Sequence, residues 1–265
     1  MLDSVLLLLV FGVLTGLTTV LFGFGGGFVT VPVVYGVVSA ASGPGADPMH
    51  VAVATSTAVM IVNAAGATTA QLRTGRLRRE YVWPLMGYIA VGAAVGSVGA
   101  LLLGERAQHV LFSVYLVWTI LDSVLRRGFL SRDEDREPRL LGRGTVTAGG
   151  VGIGGVASSL GVGGSVLTVP LLRRRGLPMA DAAAMANPLT LPVAVVATGV
   201  YALAGGPDAG GHLGYVDLVA GAALLAGSLP TIALARRIVG RMPDRVHAWA
   251  YVGLLVAALV GINAV

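Results

Sequence analysis

The sequence predicts an all-α polytopic membrane protein with two inverted-topology repeats, glycine-broken helices and about eight to ten membrane segments. Composition, the spacing of charges and an internal repeat predict it. Of 265 residues, 55% are hydrophobic and 12% charged, where a soluble domain carries about 25% charged residues. Mean hydropathy is +0.82. No Asp, Glu, Lys or Arg lies between Asp3 and Asp47, Asp47 and Arg73, Glu80 and Glu105, or Arg143 and Arg173. The same holds from Asp181 to Asp208, from Asp217 to Arg236, and after Arg245. A bilayer crossing takes about 20 apolar residues, so most of these windows hold one helix. Windows 4–46 and 144–172 have room for a second, shorter element. The alternating pattern of transmembrane strands is missing.

Taken in order, the first segment is 4–22. It has no positive n-region and no small-residue cleavage site before the glycine run, so it reads as a retained helix, not a signal peptide. A short second segment (28–41) precedes three longer ones (49–71, 81–103, 107–126). The charged stretch 127–143 reads as a solvent loop. It divides the chain into a first repeat (1–126) and a second (144–265). The second repeat holds segments 144–161, 165–174, 180–204, 215–235 and 246–264.

The repeat is visible in the residues. GFGGGFVTVPVV (23–34) aligns with GVGGSVLTVPLL (161–172), placing Gly23, Gly25, Gly26, Thr30, Val31 and Pro32 on Gly161, Gly163, Gly164, Thr168, Val169 and Pro170. Pro48-Met49 and Pro178-Met179 then each lead an Ala-rich helix. All eighteen basic residues are Arg, concentrated in loops between spans. The net charge of +5 therefore reports membrane topology, not nucleic-acid binding. The loop after the glycine motif is Arg-free in the first half and holds Arg173, Arg174 and Arg175 in the second. The next loop is Arg-rich in the first half (Arg73, Arg76, Arg78, Arg79) and Arg-free in the second. Opposite bias in equivalent loops implies that the second copy is inverted. With Arg-rich loops in the cytoplasm, both termini face outward from the cell membrane.

Inverted repeats with interrupted helices mark secondary transporters. Gly25, Gly26 and Gly27, and Gly163, Gly164 and Ser165, interrupt the helices. Irregular backbone at membrane depth is tolerated only where protein buries it or it lines a cavity. A short helix beginning after each run aims free N–H groups and a positive dipole end at that place. This makes an anion site without a charged side chain, with Thr30 and Thr168 in its first turns. Gly12-Gly16, Gly92-Gly96 and Gly150-Gly154 read instead as helix-packing pairs. Ser56, Thr57 and Asn63 in segment three, and Asn187 in segment eight, are candidate donors to an oxyanion. Interhelical hydrogen bonding is their plainer role. Asn187-Pro188 should interrupt segment eight. His50 and Asp181 open segments three and eight at equivalent positions. They are candidates for gating or proton coupling, with an interfacial place the simpler reading. Asp122 is expected to pair with Arg126 one turn on, and His109, His212 and His247 to be solvated at helix ends. With no cysteine, disulfides, thiolate metal sites and Cys nucleophiles are excluded. No metal or other cofactor is expected.

The residues GFGGGFVTVPVV (23–34), HVAVATSTAVMIVNAAGA (50–67) with TGRL (74–77), and GVGGSVLTVPLL (161–172) resemble the TauE/SafE family of sulfite exporters. The resemblance covers nearly the whole chain. It implies transport of sulfite, sulfonates, thiosulfate or related organosulfur anions across the cytoplasmic membrane. AMANPLTLP (184–192) stands where the first half has VATSTAVMI (53–61), so the implied site is asymmetric. The expected function is secondary transport of a small anion, with the lipid bilayer as surroundings and room for a homo-oligomer. A passive channel is the alternative. Ser158-Ser159 and the histidines offer no Ser/His pair at one depth, so an enzyme is not expected.

Overall fold

The structure is a computed structural model that describes residues 2–41, 47–73, 75, 77–125, 129, 140–206, 210–235 and 243–264. Helix α1 (Leu2–Phe22) ends at the first glycine run, and α2 (Gly27–Ala41) starts directly after it. The first half continues with α3 (Pro48–Arg73), α4 (Arg79–Ala100) and α5 (Glu105–Leu125). A π-helical turn (Thr145–Gly149) leads into α6 (Gly150–Leu160), which ends at the second glycine run. Then come α7 (Ser165–Arg174), α8 (Met179–Leu203), α9 (Leu218–Ala235) and α10 (Asp244–Asn263). Seven of these helices are long and apolar enough to cross a membrane. The chain is an all-α polytopic membrane protein. Its outward side chains, among them Leu6, Val95, Trp118 and Val260, are apolar, as lipid contact requires.

Three expectations change. Hydropathy alone starts the ninth segment at residue 215, but α9 begins at Leu218. Before it, β1 (His212–Leu213) pairs antiparallel with β2 (Val216–Asp217). Asp217 Oδ1 accepts the N–H groups of Val219 and Ala220 at 2.9 Å each and so caps the helix. Nor does Asn187-Pro188 interrupt α8, which runs on through both Pro188 and Pro192. Proline removes one backbone hydrogen bond. Here the surrounding helices enclose residues 182–190 completely, and such packing lets membrane helices carry proline. Of the linker 127–143, only Phe129 and residues 140–143 are described. Phe129 is fully buried, although a solvent loop was expected there.

The packing glycines are where the sequence puts them. A Cβ on Gly12 would stand 2.4 Å from the Leu224 carbonyl oxygen, and one on Gly16 2.5 Å from that of Ser228. Ascending residues of α1 thus meet ascending residues of α9, and the two run in the same sense. Likewise Gly92 meets Val151 and Gly96 meets Gly155, so α4 and α6 run in the same sense. Such contacts leave no room for any side chain, and close backbone approach is what holds membrane helices together. Helices α3 and α8 are the most buried of the long helices. Thr198 donates to Thr57 at 3.1 Å, while Met60 and Thr190 both flank Gly25. These two central helices therefore pass each other in opposite senses. Pairings also recur between halves: α2 lies against α3 as α7 lies against α8, and α2 meets α10 as α7 meets α5.

Candidate functional site

The two breaks meet each other. Gly25 (φ +62°) and Gly26 (φ +97°) turn the chain from α1 into α2. Only glycine adopts such angles without penalty. A Cβ on Gly27 would lie 2.7 Å from the Gly161 carbonyl oxygen, and one on Gly163 would lie 2.7 Å from that of Phe24. Gly25 faces Met60 and Thr190, and Gly163 also faces Thr190. Those residues occupy the middle turns of α3 and α8, so the breaks come together near half-depth. Gly164 is less confined: its Cβ would find Ile153 Cγ2 at 3.2 Å.

Side chains from neighbouring helices cover the carbonyl ends of the broken helices. At the end of α1, the Thr19 carbonyl accepts Asn187 Nδ2 at 3.4 Å, and His247 Nε2 lies 2.6 Å from the Leu21 carbonyl. At the end of α6, the Ser158 carbonyl accepts the Tyr201 hydroxyl at 3.0 Å. The Ser159 carbonyl accepts Gln108 Nε2 at 2.9 Å, and that of Gly161 accepts Ser56 Oγ at 2.7 Å. Asn63 Nδ2 donates to the Gly25 carbonyl at 3.4 Å, and Asn63 Oδ1 accepts from Ser228 at 2.8 Å.

The donor ends are open. Among the described residues, the backbone N–H groups of Gly25, Gly26, Gly163, Gly164 and Ser165 make no hydrogen bond. The first N–H groups of any helix lack an intrahelical partner. The hydroxyls of Thr15, Thr30, Ser165 and Thr168 are buried and find no partner in the protein. Thr30 and Thr168 occupy the same position in the two repeats. An unpaired buried polar group costs about 1–3 kcal/mol, so several at one place need an explanation. Residues 4–46 and 144–172 carry no charge. The positive potential here comes from backbone N–H groups and the dipoles of α2 and α7.

The remaining candidates lie elsewhere. Thr57 donates to the Ala54 carbonyl at 2.8 Å and accepts from Thr198, tying α3 to α8. His50 is buried in the first turn of α3. Its Nε2 lies 3.1 Å from the Ala100 carbonyl, and its ring lies 5.2 Å from that of Tyr215. Burial, then the Asp47 carboxylate, raise the Tyr215 phenol above its ordinary pKa. Asp181 is half-buried in the first turn of α8.

Other expectations are corrected by tertiary packing. His247 is enclosed beside Phe22, not solvated. Arg173, expected in a solvent loop, is fully buried. Its Nε donates to the Phe129 carbonyl at 2.8 Å, and both terminal nitrogens donate to Asp244. Asp244 Oδ1 also accepts the Met179 N–H at 2.8 Å. Asp122 accepts from Arg174, while its expected partner Arg126 lies outside the described residues. Sequence reading noticed Thr190 among the polar residues of segment eight, missed Thr15, Gln108 and Tyr201 around the breaks, and placed His247 in solvent. For Thr15 the available signal was a polar residue in an apolar helix.

A family model described as sulfite exporter TauE/SafE matches residues 8–262. The chain belongs to the TauE/SafE family. This family member is similar to a Haemophilus influenzae protein described as "Probable membrane transporter protein". The two are 27% identical over 182 residues, which cover 69% of this chain and 67% of that protein. No solved structure matches. The TauE/SafE chain is thus a multi-pass membrane transporter.

Proposed function

We propose that this TauE/SafE protein is a secondary transporter of small oxyanions across the cytoplasmic membrane, and that the anion binds between the starts of α2 and α7. One observation carries the reading: at the breaks the carbonyls of Thr19, Leu21, Gly25, Ser158, Ser159 and Gly161 are paired with side chains, and most of the leftover groups are N–H and O–H donors. Asn187 Oδ1 and Gln108 Oε1 are unpaired acceptors nearby, but the spare donors outnumber them, and such a balance suits an anion better than a metal cation. The N–H groups of Gly25, Gly26, Gly163, Gly164 and Ser165, with the hydroxyls of Thr30, Ser165 and Thr168, are the proposed contacts. Ser56, Asn63 and Asn187 are positioning residues that hold the broken backbone, and Thr57 ties α3 to α8. Gly27 is small because Gly161 passes over it.

The family description supports sulfite, sulfonates or other organosulfur anions as cargo. An inside-negative potential favours export, by about 2.3 kcal/mol per charge per 100 mV. Inverted repeats are supported by the opposite senses of α3 and α8, which are equivalent in the repeat. On that reading the two halves rock about the site, and both termini lie outside. The alternative is a passive channel. It would conduct sulfite without saturating at modest concentration, whereas a transporter saturates.

Replacement of Thr30 and Thr168 by valine tests the site. Each change keeps the volume and removes a hydroxyl that has no partner in the protein. Sulfite flux into proteoliposomes is expected to fall at least about tenfold, the worth of one charge-assisted hydrogen bond. Thermal stability is expected to hold or rise. Unchanged flux in the double variant would sink the assignment.

A further inference from the structure

A groove separate from the two breaks lies against the start of α4. This groove, of about 780 Å³, opens between the end of α3, the start of α4 and the middle of α8. Its walls are apolar, formed by Leu72, Leu77, Trp83, Met86 and Leu191 with Pro188 on α8. Arg79 and Glu80 stand at one end. Leu72 is half-exposed and Trp83 is 78% exposed, so the groove opens where lipid would be. Arg79 and Trp83 are four residues apart and share a helix face. Tryptophan marks the headgroup level of a bilayer, which places the arginine at the depth of lipid phosphates.

The charge around the groove is one-sided. Residues 73–80 contain Arg73, Arg76, Arg78, Arg79 and a single acid, Glu80. Among the described residues, Arg73, Arg78 and Arg79 make no ion pair. This differs from the other arginine cluster, where Arg173 and Arg174 are taken up by Asp244 and Asp122. An apolar slot whose lining includes Arg79, in a stretch of four arginines and one acid, matches an amphiphile with an anionic head. Basic pockets between membrane helices bind anionic lipid headgroups by the same chemistry.

We propose that this groove binds one anionic phospholipid of the surrounding leaflet, with an acyl chain along Leu72, Met86 and Leu191 and the phosphate on Arg79. Pro188 and Leu191 adjoin Asn187 and Thr190, so the lipid would lie against the helix that backs the two breaks. The site stands independently of the transported anion.

The test uses the full-length protein in a neutral detergent. Phosphatidylglycerol, phosphatidylcholine with the same chains, and soluble glycerol 3-phosphate are titrated against it, with binding read by native mass spectrometry and thermal shift. Phosphatidylglycerol should bind and stabilise more strongly than phosphatidylcholine, and glycerol 3-phosphate should do neither. Arg79→Gln should weaken phosphatidylglycerol binding about fivefold, the worth of one interfacial arginine. Arg245→Gln is the matched control. Arg245 sits four residues before Trp249 on α10, away from this groove, and its loss should leave binding intact. Equal binding of the two lipids, or equal losses in R79Q and R245Q, overturns the proposal. So does glycerol 3-phosphate matching the lipid.

Discussion

A Cβ at Gly26 would stand 2.2 Å from Thr15 Cγ2, where ordinary contact begins at 3.4 Å. Gly26→Ala therefore forces α1 and the first break apart. Overpacking of this kind costs about 1–3 kcal/mol. The backbone adds a second cost, because φ at Gly26 is +97° and a left-handed angle costs a residue with a Cβ about 1–2 kcal/mol. The expected loss is roughly 2–5 kcal/mol, both terms acting together. Thr15→Ala separates them. It removes the obstructing methyl and leaves Asn63 Nδ2 at 3.3 Å as the nearest atom outside residue 15. By itself it costs little, since the Thr15 hydroxyl has no partner in the protein. The double variant should thus retain only the backbone cost, about 1–2 kcal/mol. Thermal unfolding in one detergent, followed through the three tryptophans, gives the coupling. A coupling of about 1–3 kcal/mol is expected, and additivity within about 0.5 kcal/mol would refute the proposed packing of α1 on the break.

Three further outcomes follow from the structure. Gly163→Ala should lower both stability and anion flux, because its Cβ would lie 2.7 Å from the Phe24 carbonyl oxygen. Gly164→Ala should be tolerated, and similar thermal midpoints and flux for the two would contradict the geometry. Asp244→Ala strands the buried Arg173 guanidinium. Breaking a buried pair costs about 3–5 kcal/mol, and the lower end applies because the Asp244 side chain is 42% exposed; an unchanged unfolding midpoint would disprove a stabilising role for the Arg173–Asp244 pair. Gly66→Ala, in the interior of α3 with nothing within 4 Å of the new methyl, should raise stability by up to about 1 kcal/mol in the same assay.

The fold was largely legible in the sequence because burial in lipid leaves a one-dimensional record. Each crossing must be apolar for about 20 residues, so most of the helices follow from the charge-free windows to within a few residues, and α5 from an apolar run that holds Asp122 near its end. Gly12, Gly92 and Gly154 were readable as packing glycines for a similar reason, since i, i+4 spacing alone puts small residues on one helix face. The candidate site was legible only in part. The glycine runs and the threonines that follow them stand out because they repeat.

What a residue's hydrogen bonds do is a different matter. Ser56 and Asn187 look alike as candidate donors, and only the packed structure commits one to the Gly161 carbonyl and the other to Thr19. Thr30 and Thr168 stand out by repetition, but only the packed structure shows that their neighbours offer their hydroxyls no partner. Arg173 reads as a loop cation by its charge, yet α10 arrives with Asp244 to bury it. The sequence by itself determined the class, the approximate number of helices and the two glycine breaks, because these depend on local hydropathy and backbone freedom. Only the tertiary structure decided that the breaks touch, that their carbonyls are covered and that their donors are left over. Those facts depend on which partners meet across separations from 38 residues (Asn63 with Gly25) to 226 (His247 with Leu21), and neither composition nor spacing records that.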